Sequence, residues 1–388
     1  MSEWKLKECC ISISDGDHLP PPKANSGIPF ITISNIDSTN HLDFKNTLFV
    51  PIEYYDKLDS IRKAQIGDII YSVVGSFGKP VLIKKNKKFA FQRHIAILRP
   101  DSSIVDSRYL YYVMLTREFY MQADSVAIGA AQRTISLTSL RNMKVKLPSL
   151  DVQQRIATIL SRYDSLIENY QKQIKLFEES AQRLYKEWFI DLRFPGHENT
   201  KIVDGVPEGW ERKKVGDIVV YFDKQRKPLS SMQRASMDKI YPYYGAASLM
   251  DYVDNYIFDG IYLLLGEDGT VITSDNKPVL QYVWGKFWVN NHAHVLRGTN
   301  DISTEFLYMM FKELPIADVV TGAAQPKISQ GRLSEKTILT PSLDLIKKWS
   351  KLTKPFFDSL RVKTEQIRHL TEACDRLLPK LMSGEMEV

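Results

Sequence analysis

The chain says much the same thing twice. Residues 129–136 read GAAQRTIS and residues 322–329 read GAAQPKIS, 193 positions later. The same offset pairs Pro148-Ser149-Leu150-Asp151 with Pro341-Ser342-Leu343-Asp344, and Glu179, Arg183 and Leu184 with Glu372, Arg376 and Leu377. No gap is needed across about 60 residues, so the fold must accommodate two similar modules. Upstream the repeat is looser. His94–Arg99 (HIAILR) resembles His292–Arg297 (HAHVLR) at an offset of 198, and Tyr109-Leu110 resembles Phe306-Leu307. Gly75 and Gly78 resemble Gly266 and Gly269, and Trp4 with Lys5 and Lys7 resembles Trp210 with Arg212 and Lys213. Each half is a variable globular part followed by a better-matched tail.

The tails carry the clearest structural signal. In the first, Ile156, Leu160, Tyr163, Ile167, Tyr170, Ile174, Phe177, Ala181, Leu184 and Trp188 recur at spacings of four and three, the stripe of a long helix in a coiled coil. Asp151 reads as its N-cap, with Gln154 completing a capping box, and Pro195-Gly196 as its end. In the second, Trp349, Leu352, Phe356, Leu360, Ile367, Leu370, Cys374, Leu377 and Leu381 repeat the stripe. Lys363 falls where Tyr170 stood, and Pro355 should kink or interrupt the early turns. A helix of about 40 residues spans roughly 60 Å. It cannot bury such a stripe within its own globular part, so each tail is the natural partner of the other.

The globular parts read as β-rich. Short apolar runs at 66–74, 81–84 and 95–98, broken by Gly, Pro and Lys, predict strands, and 107–120 predicts a helix. In the second half, 261–265, 279–284 and 293–296 predict strands and 303–312 a helix, in the same order. The expected fold is α+β: two β-rich mixed domains joined by two long antiparallel helices forming a coiled coil, with a pseudo-two-fold internal repeat. The boundaries read as 1–147, 148–195 for the first long helix, 196–206 for a linker, 207–340, and 341–388 for the second long helix.

The hydrophobic fraction of 44% and charged fraction of 25% are globular values, and no apolar run reaches the length of a membrane span. Three cysteines (Cys9, Cys10, Cys374) fit neither a disulfide framework nor a zinc site, so a cytoplasmic setting is expected. The net charge of +6 is uneven. Residues 1–147 hold 20 Lys/Arg against 14 Asp/Glu, whereas 196–340 hold 16 against 18. The first globular part therefore suits a polyanion, and the second would need local patches such as Lys224, Arg226 and Lys227.

Catalytic machinery is sparse. The chain has no phosphate-binding glycine loop, no Asn/Asp-Pro-Pro-aromatic tetrad and no His/Asp/Glu spacing of a metal set. The nearest approach to a nuclease is Asp268 followed by Asp275-Asn276-Lys277, which leaves a stand-alone metal-dependent nuclease acting through Asp268, Asp275 and Lys277 as the rival reading. A coiled-coil scaffold whose globules bind protein is a third. No catalytic or metal residue is assigned.

Taken together, VPEGWERKKVGDI around Trp210, NNHAHVL at 290–296, the two GAAQ-x-x-IS loops, the PSLD helix starts and LLPKLMSGE at 377–385 resemble the DNA-specificity subunit of type I restriction-modification systems. The resemblance covers essentially the whole chain. Only the N-terminal approach, MSEWKLKECC, departs from it, lacking Pro-Glu-Gly before the tryptophan. It implies a non-catalytic, prokaryotic subunit with two target-recognition domains reading an asymmetric bipartite site in double-stranded DNA. It also implies two modification subunits that methylate adenine N6 with S-adenosylmethionine, and restriction subunits that use ATP and Mg2+. No cofactor is expected in this chain.

A reader of DNA needs phosphate contacts for register and base-edge contacts for sequence. Candidate DNA-binding residues are Lys84, Lys85, Lys87, Lys88, Arg93, Gln132 and Arg133 in the first half, and Lys224, Arg226, Lys227, Arg234, Lys286, Gln325 and Lys327 in the second. Lysines suit phosphates, while Arg, Asn and Gln suit base edges. The GAAQ loops either touch DNA or lock the chain's return to the tail. Candidate helix-pair or partner-interface residues are Ile167, Ile174, Phe177, Leu184, Trp188, Leu360, Ile367, Leu370, Leu377 and Leu381.

Overall fold

A computed structural model of the chain describes residues 1–16, 20–37, 39–130, 132–299, 301–322 and 324–388. It divides into two compact units, Met1–Glu168 with Arg368–Val388, and Asn169–Ile367. Each unit is thus assembled from a globular part plus stretches of both long helices. Among the described residues no helix is long and apolar enough to cross a membrane.

In the first unit a four-stranded antiparallel sheet runs in the order Cys10–Asp15, Ile95–Pro100, Ile69–Ser72, Pro80–Leu82. Ile69, Tyr71, Ala96 and Leu98 on one face are fully buried against Tyr109, Leu110 and Phe119, while Ile70, Ile95 and Ile97 on the other join a second cluster. That two-sided burial is why these strands are almost continuously apolar. A smaller sheet holds Leu48–Val50, Ile28–Ile31 and Ala90–Phe91, the last two strands parallel through Phe30↔Ala90 and Ile31↔Phe91.

The second unit repeats this plan. Its main sheet runs Val219–Tyr221, Ala293–Gly298, Tyr262–Gly266, Leu280–Val283, all antiparallel. Its second sheet again contains one parallel pairing, Tyr243↔Trp288 and Tyr244↔Val289. In both units a strand at the start of the globular part pairs with one just before a long helix: Ser2–Lys5 with Lys144–Leu147, and Glu211–Lys214 with Thr337–Thr340. Ile69↔Leu98 corresponds to Leu263↔Leu296, so the repeat offset is 194 on one strand and 198 on the next.

The helices differ from expectation in detail. The segment 107–120 is two helices, Ser107–Leu115 and Arg117–Val126, because Thr116 leaves helical geometry and its Oγ1 accepts the N–H of Phe119 at 3.2 Å. The helix expected at 303–312 is Thr304–Glu313, capped by Ser303.

The first long helix is Leu150–Tyr185. It begins one residue before Asp151, so Asp151 is a first-turn acid pairing with Arg155 at 2.7 Å and not the N-cap. Gln153, two residues further on and fully buried, ties this helix to the globular part. It accepts the N–H of Asp106 and donates to the carbonyls of Ile104 and Pro148. The end also comes before Pro195-Gly196: a π-turn over Lys186–Ile190 leads to Leu192 at φ +58°.

The second long helix, Leu343–Ser383, runs unbroken through Pro355. Pro355 and Lys351 are both exposed, so the carbonyl deprived of its partner lies on the water side. Trp349, Thr353 and Phe357 anchor the opposite face. Thr353, 1% exposed, takes the buried place expected of Leu352, which is 54% exposed.

Within the first unit Ile156, Ala157 and Leu160 share a core with Leu381, and Leu377 packs against it. Tyr112 donates its hydroxyl to Asp164 at 2.6 Å. Within the second, Tyr185, Phe189, Phe306 and Trp349 interlock at ring-centroid distances of 5.1–6.4 Å. Phe177 stacks on Phe356 at 6.1 Å, and Lys363 lies 4.5 Å above the Tyr170 ring. Of the ten stripe residues singled out as interface, Trp188, Leu360 and Leu381 are buried and the other seven half-buried.

The exposed proline costs the helix one hydrogen bond without ending it. Pro355→Ala should therefore raise stability by about 1–2 kcal/mol, the restored bond and helix propensity outweighing the looser unfolded chain. Urea unfolding followed by tryptophan fluorescence checks this; unchanged or lower stability would show that the helix needs its proline.

Candidate nucleic-acid interface

Three chain segments meet at one end of each main sheet, and equivalent backbone hydrogen bonds join them in the two units. In the first, Val73 N–H donates to the His94 carbonyl at 3.0 Å, Gly75 N–H to the Arg133 carbonyl at 2.9 Å, and Ile135 N–H to the Val73 carbonyl at 2.8 Å. In the second, Glu267 donates to His292 at 2.8 Å, Gly269 to Pro326 at 3.0 Å, and Ile328 to Glu267 at 2.8 Å. These bonds make Gly269 the counterpart of Gly75, correcting the pairing of Gly75 with Gly266 and of Gly78 with Gly269. Each platform thus carries a glycine turn, the turn entering the strand at 95 or 293, and the GAAQ tip.

The GAAQ-x-x-IS motif divides by role. Gly129 (φ +106°) and Gly322 (φ +81°) adopt left-handed geometry. A Cβ on Gly129 would come within 2.6 Å of the Gln132 carbonyl oxygen, and one on Gly322 closer still to that of Gln325. Ile135 and Ile328 are buried. Ser136 and Ser329 cap the short helices Leu137–Asn142 and Gln330–Glu335. Glycine, isoleucine and serine therefore build the return to the tail, and Gln132 and Gln325 stand exposed at the tips. Ala131 and Ala323 of the motif lie outside the described residues.

The candidate cations sort by what they already hold. Lys84, Lys85, Lys87, Lys88 and Arg93 are exposed. Lys84 pairs with Glu168 at 2.7 Å, and Lys87 lies 3.5 Å above the Phe44 ring. Arg133 is tied to Asp124 and to the carbonyls of Asp124 and Ala127, over the face of Phe77. In the second unit Lys224 and Lys227 are exposed. Lys286 lies over Tyr256 at 4.6 Å, and Arg234 pairs with Asp251 at 3.0 Å beside Tyr243. Arg226 is turned inward: Nη1 donates to Glu267 at 2.6 Å and to the Ala293 carbonyl at 2.7 Å.

Arg226 belongs to a polar network that sequence reading missed. Asp223, Glu267 and His294 bring their ligand-type atoms within 4.8 Å of one another. His294, 1% exposed, contacts Asp223 through Nδ1 at 2.6 Å and the Ile328 carbonyl through Nε2 at 2.8 Å. Val295 N–H donates to Asp223 at 2.9 Å. Three such groups can bind a metal, but Arg226 and Lys327 (3.5 Å from Glu267) already supply positive charge there. In the first unit Val73 and Ala96 occupy the places of Glu267 and His294, so the network belongs to one module only. Burial would raise the Asp223 carboxyl, but the hydrogen bond and charge of His294, the Val295 N–H and Arg226 hold it below its ordinary value.

The residues of the nuclease alternative go elsewhere. Asp268 contacts His292 at 2.5 Å, whereas Asp275 bonds Thr273 and Lys277, and Lys277 reaches Glu313 at 3.3 Å. They make no common site.

The family model for the type I restriction modification DNA specificity domain matches residues 5–178 and 207–372. The chain belongs to this DNA-specificity family. Its members are recognition subunits without catalysis of their own, which accounts for the dispersal of Asp268, Asp275 and Lys277. Among relatives, the type I restriction enzyme MjaIX specificity subunit of Methanocaldococcus jannaschii is 27% identical over 383 residues, covering 93% of this chain and 87% of that protein. The putative type I restriction enzyme MjaX specificity subunit of the same organism is 23% identical, covering 100% and 94%. The crystal structure of a type I restriction-modification S subunit from M. genitalium shares the fold, with a TM-score of 0.61 at 18% identity over 98% of this chain and 95% of that one. In this specificity-family chain the matched segments contain both three-part platforms.

The network gives the second module an acid limb. Asp223 has a depressed carboxyl in the folded state, so its contribution to stability is complete above the unfolded value of about 4 and is lost as pH falls through and below it. Asp223→Asn should cost about 1–3 kcal/mol at pH 7 by weakening buried hydrogen bonds, and should flatten the decline between pH 5 and 3. Denaturant titrations across that range test it; an acid limb identical to wild type would assign the sensitivity elsewhere.

Proposed function

We propose that this specificity chain reads an asymmetric bipartite target in double-stranded DNA, with residues 1–147 contacting one half-site and 207–340 the other. The observation that carries this reading is the repeated platform: the same three backbone bonds recur in both units, yet side chains beside them differ, as Arg93 against Asn291 and Arg133 against Pro326. A shared scaffold with different surfaces suits two readers of different sequences. Lys84, Lys85, Lys87 and Lys88 supply exposed positive charge in the first module, and Lys224, Lys227 and Lys286 do so in the second.

The segments 148–195 and 341–388, which carry the long helices Leu150–Tyr185 and Leu343–Ser383, act in this reading as an antiparallel coiled coil that fixes the gap between the half-sites, with 196–206 as a linker. Support comes from the stacking of Phe177 on Phe356 in one unit and the shared core of Leu160 and Leu381 in the other. The remaining outer surface of the helices would receive two modification subunits and the restriction subunits, in the cytoplasm of a prokaryote. S-adenosylmethionine, ATP and Mg2+ would enter with those partners, and this chain would position adenine N6 methylation without touching the cofactor.

Two measurements test the reading. Replacing Lys84, Lys85, Lys87 and Lys88 with alanine removes three or four phosphate contacts, depending on whether Lys84 leaves Glu168. The log–log salt slope of DNA binding should then fall by about 2.7–3.6, at roughly 0.9 per contact, for specific and non-specific DNA alike. An unchanged slope would put the DNA on another face, and DNA binding with no salt dependence would favour a protein scaffold. For the helices, inserting one heptad after Ile174 and one after Ile367 keeps the stripes in phase and adds about 10 Å. Methylation mapping should show a spacer longer by about three base pairs, since each adds 3.4 Å, with both half-sites unchanged. Altered half-site bases with an unaltered gap would rule out the ruler.

A further inference from the structure

The two platforms are alike enough for their differences to be compared residue by residue. On the turn that enters the strand at 95 or 293, Gln92-Arg93-His94 corresponds to Asn290-Asn291-His292. The histidines match and their carbonyls take the same hydrogen bond, while the glutamines at the adjoining GAAQ tips are identical. A contact that tells the two half-sites apart must come from a position that differs. Arg93 and Asn291 occupy such a position.

Both side chains are exposed, and neither has a hydrogen-bond or ion-pair partner among the described residues. The other arginines considered as base readers are already engaged: Arg133 with Asp124, Arg226 with Glu267, and Arg234 with Asp251. Both turns are also held rigidly. Ile95 N–H closes the first onto the Gln92 carbonyl at 3.0 Å, and His292 N–H closes the second onto the Asn290 side chain at 2.9 Å. A fixed turn presenting a free side chain loses little freedom when that side chain docks. An anchor for phosphate would favour positive charge in both modules, but the second carries neutral asparagine. Arginine and asparagine instead share a planar, two-point hydrogen-bonding end. Arginine matches O6 and N7 of guanine, and asparagine matches N6 and N7 of adenine.

Building on the bipartite reading above, we infer that Arg93 and Asn291 are equivalent specificity-determining residues. Arg93 selects a G·C pair in the half-site of the first module, and Asn291 selects an A·T pair, other than the methylated one, in that of the second.

The test uses the full chain together with its modification subunit, with methylated adenines mapped by long-read sequencing for wild type, Arg93→Ala and Asn291→Ala. Both residues are exposed, and the thermal unfolding of each variant provides a check on folding. Arg93→Ala should relax one G·C position in one half-site, reducing a preference of roughly 5- to 150-fold to near equality, and should leave the other half-site intact. Asn291→Ala should do the same to one A·T position in the other half-site. Methylation that keeps the wild-type motif, or that weakens evenly over all sequences as loss of a phosphate contact would, overturns the assignment while leaving the bipartite reading in place. So does a wild-type motif lacking the required pair. If the wild-type complex shows no bipartite motif at all, both the assignment and the reading on which it rests fail.

Discussion

The packing of the long helices into the cores of the globular parts is the constraint on which the rest depends. In the second unit Tyr185 at the end of one helix, Phe189 in the π-turn that follows it and Trp349 from the other helix close on Phe306 of the globular part. In the first, Ile156, Ala157 and Leu160 share their core with Leu381, which enters from the far end of the chain. Large aromatic and aliphatic side chains removed from water are the dominant favourable term here, and truncating one such aromatic typically costs about 3–5 kcal/mol. Each unit is therefore built from stretches distant in sequence, and neither globular part is complete without both helices.

On that foundation the sheets bring three segments together. The GAAQ loops look like recognition motifs in sequence, yet most of their fixed residues do structural work. Gly129 and Gly322 permit a left-handed turn, Ile135 and Ile328 fill the core, and Ser136 and Ser329 start the next helix. This economy leaves a few positions at the platform free to vary. The second module also holds the Asp223–Arg226–Glu267–His294 network, and in the first Val73 and Ala96 stand where it has Glu267 and His294. Opposite charges withdrawn from water together contribute little net stability, because desolvation offsets much of their attraction. The two modules thus reach one backbone arrangement with different interiors.

Much of this was legible in the chain itself. The collinear repeat, the heptad stripes and the short apolar runs located the two modules, the long helices and most main-sheet strands, because each depends on local periodicity. Local rules failed where tertiary packing outweighed them. Pro355 did not stop its helix, since Trp349 and Phe357 hold it on both sides. Asp151 lost the capping position, and Thr116 split a helix that periodicity alone would have continued.

For the interface, sequence determined the residue types and the repeat that aligns them, including the match between Arg93 and Asn291 once His94 is paired with His292. Only the tertiary structure decided which of those side chains remain available. Lys84 meets Glu168, 84 positions away, and Arg226 meets Glu267, 41 positions away. No periodic pattern links residues so far apart; the pairing is set by which strands adjoin and which loops they bring together. The count of basic residues was fixed by the sequence, and their division into anchored and free cations by the fold.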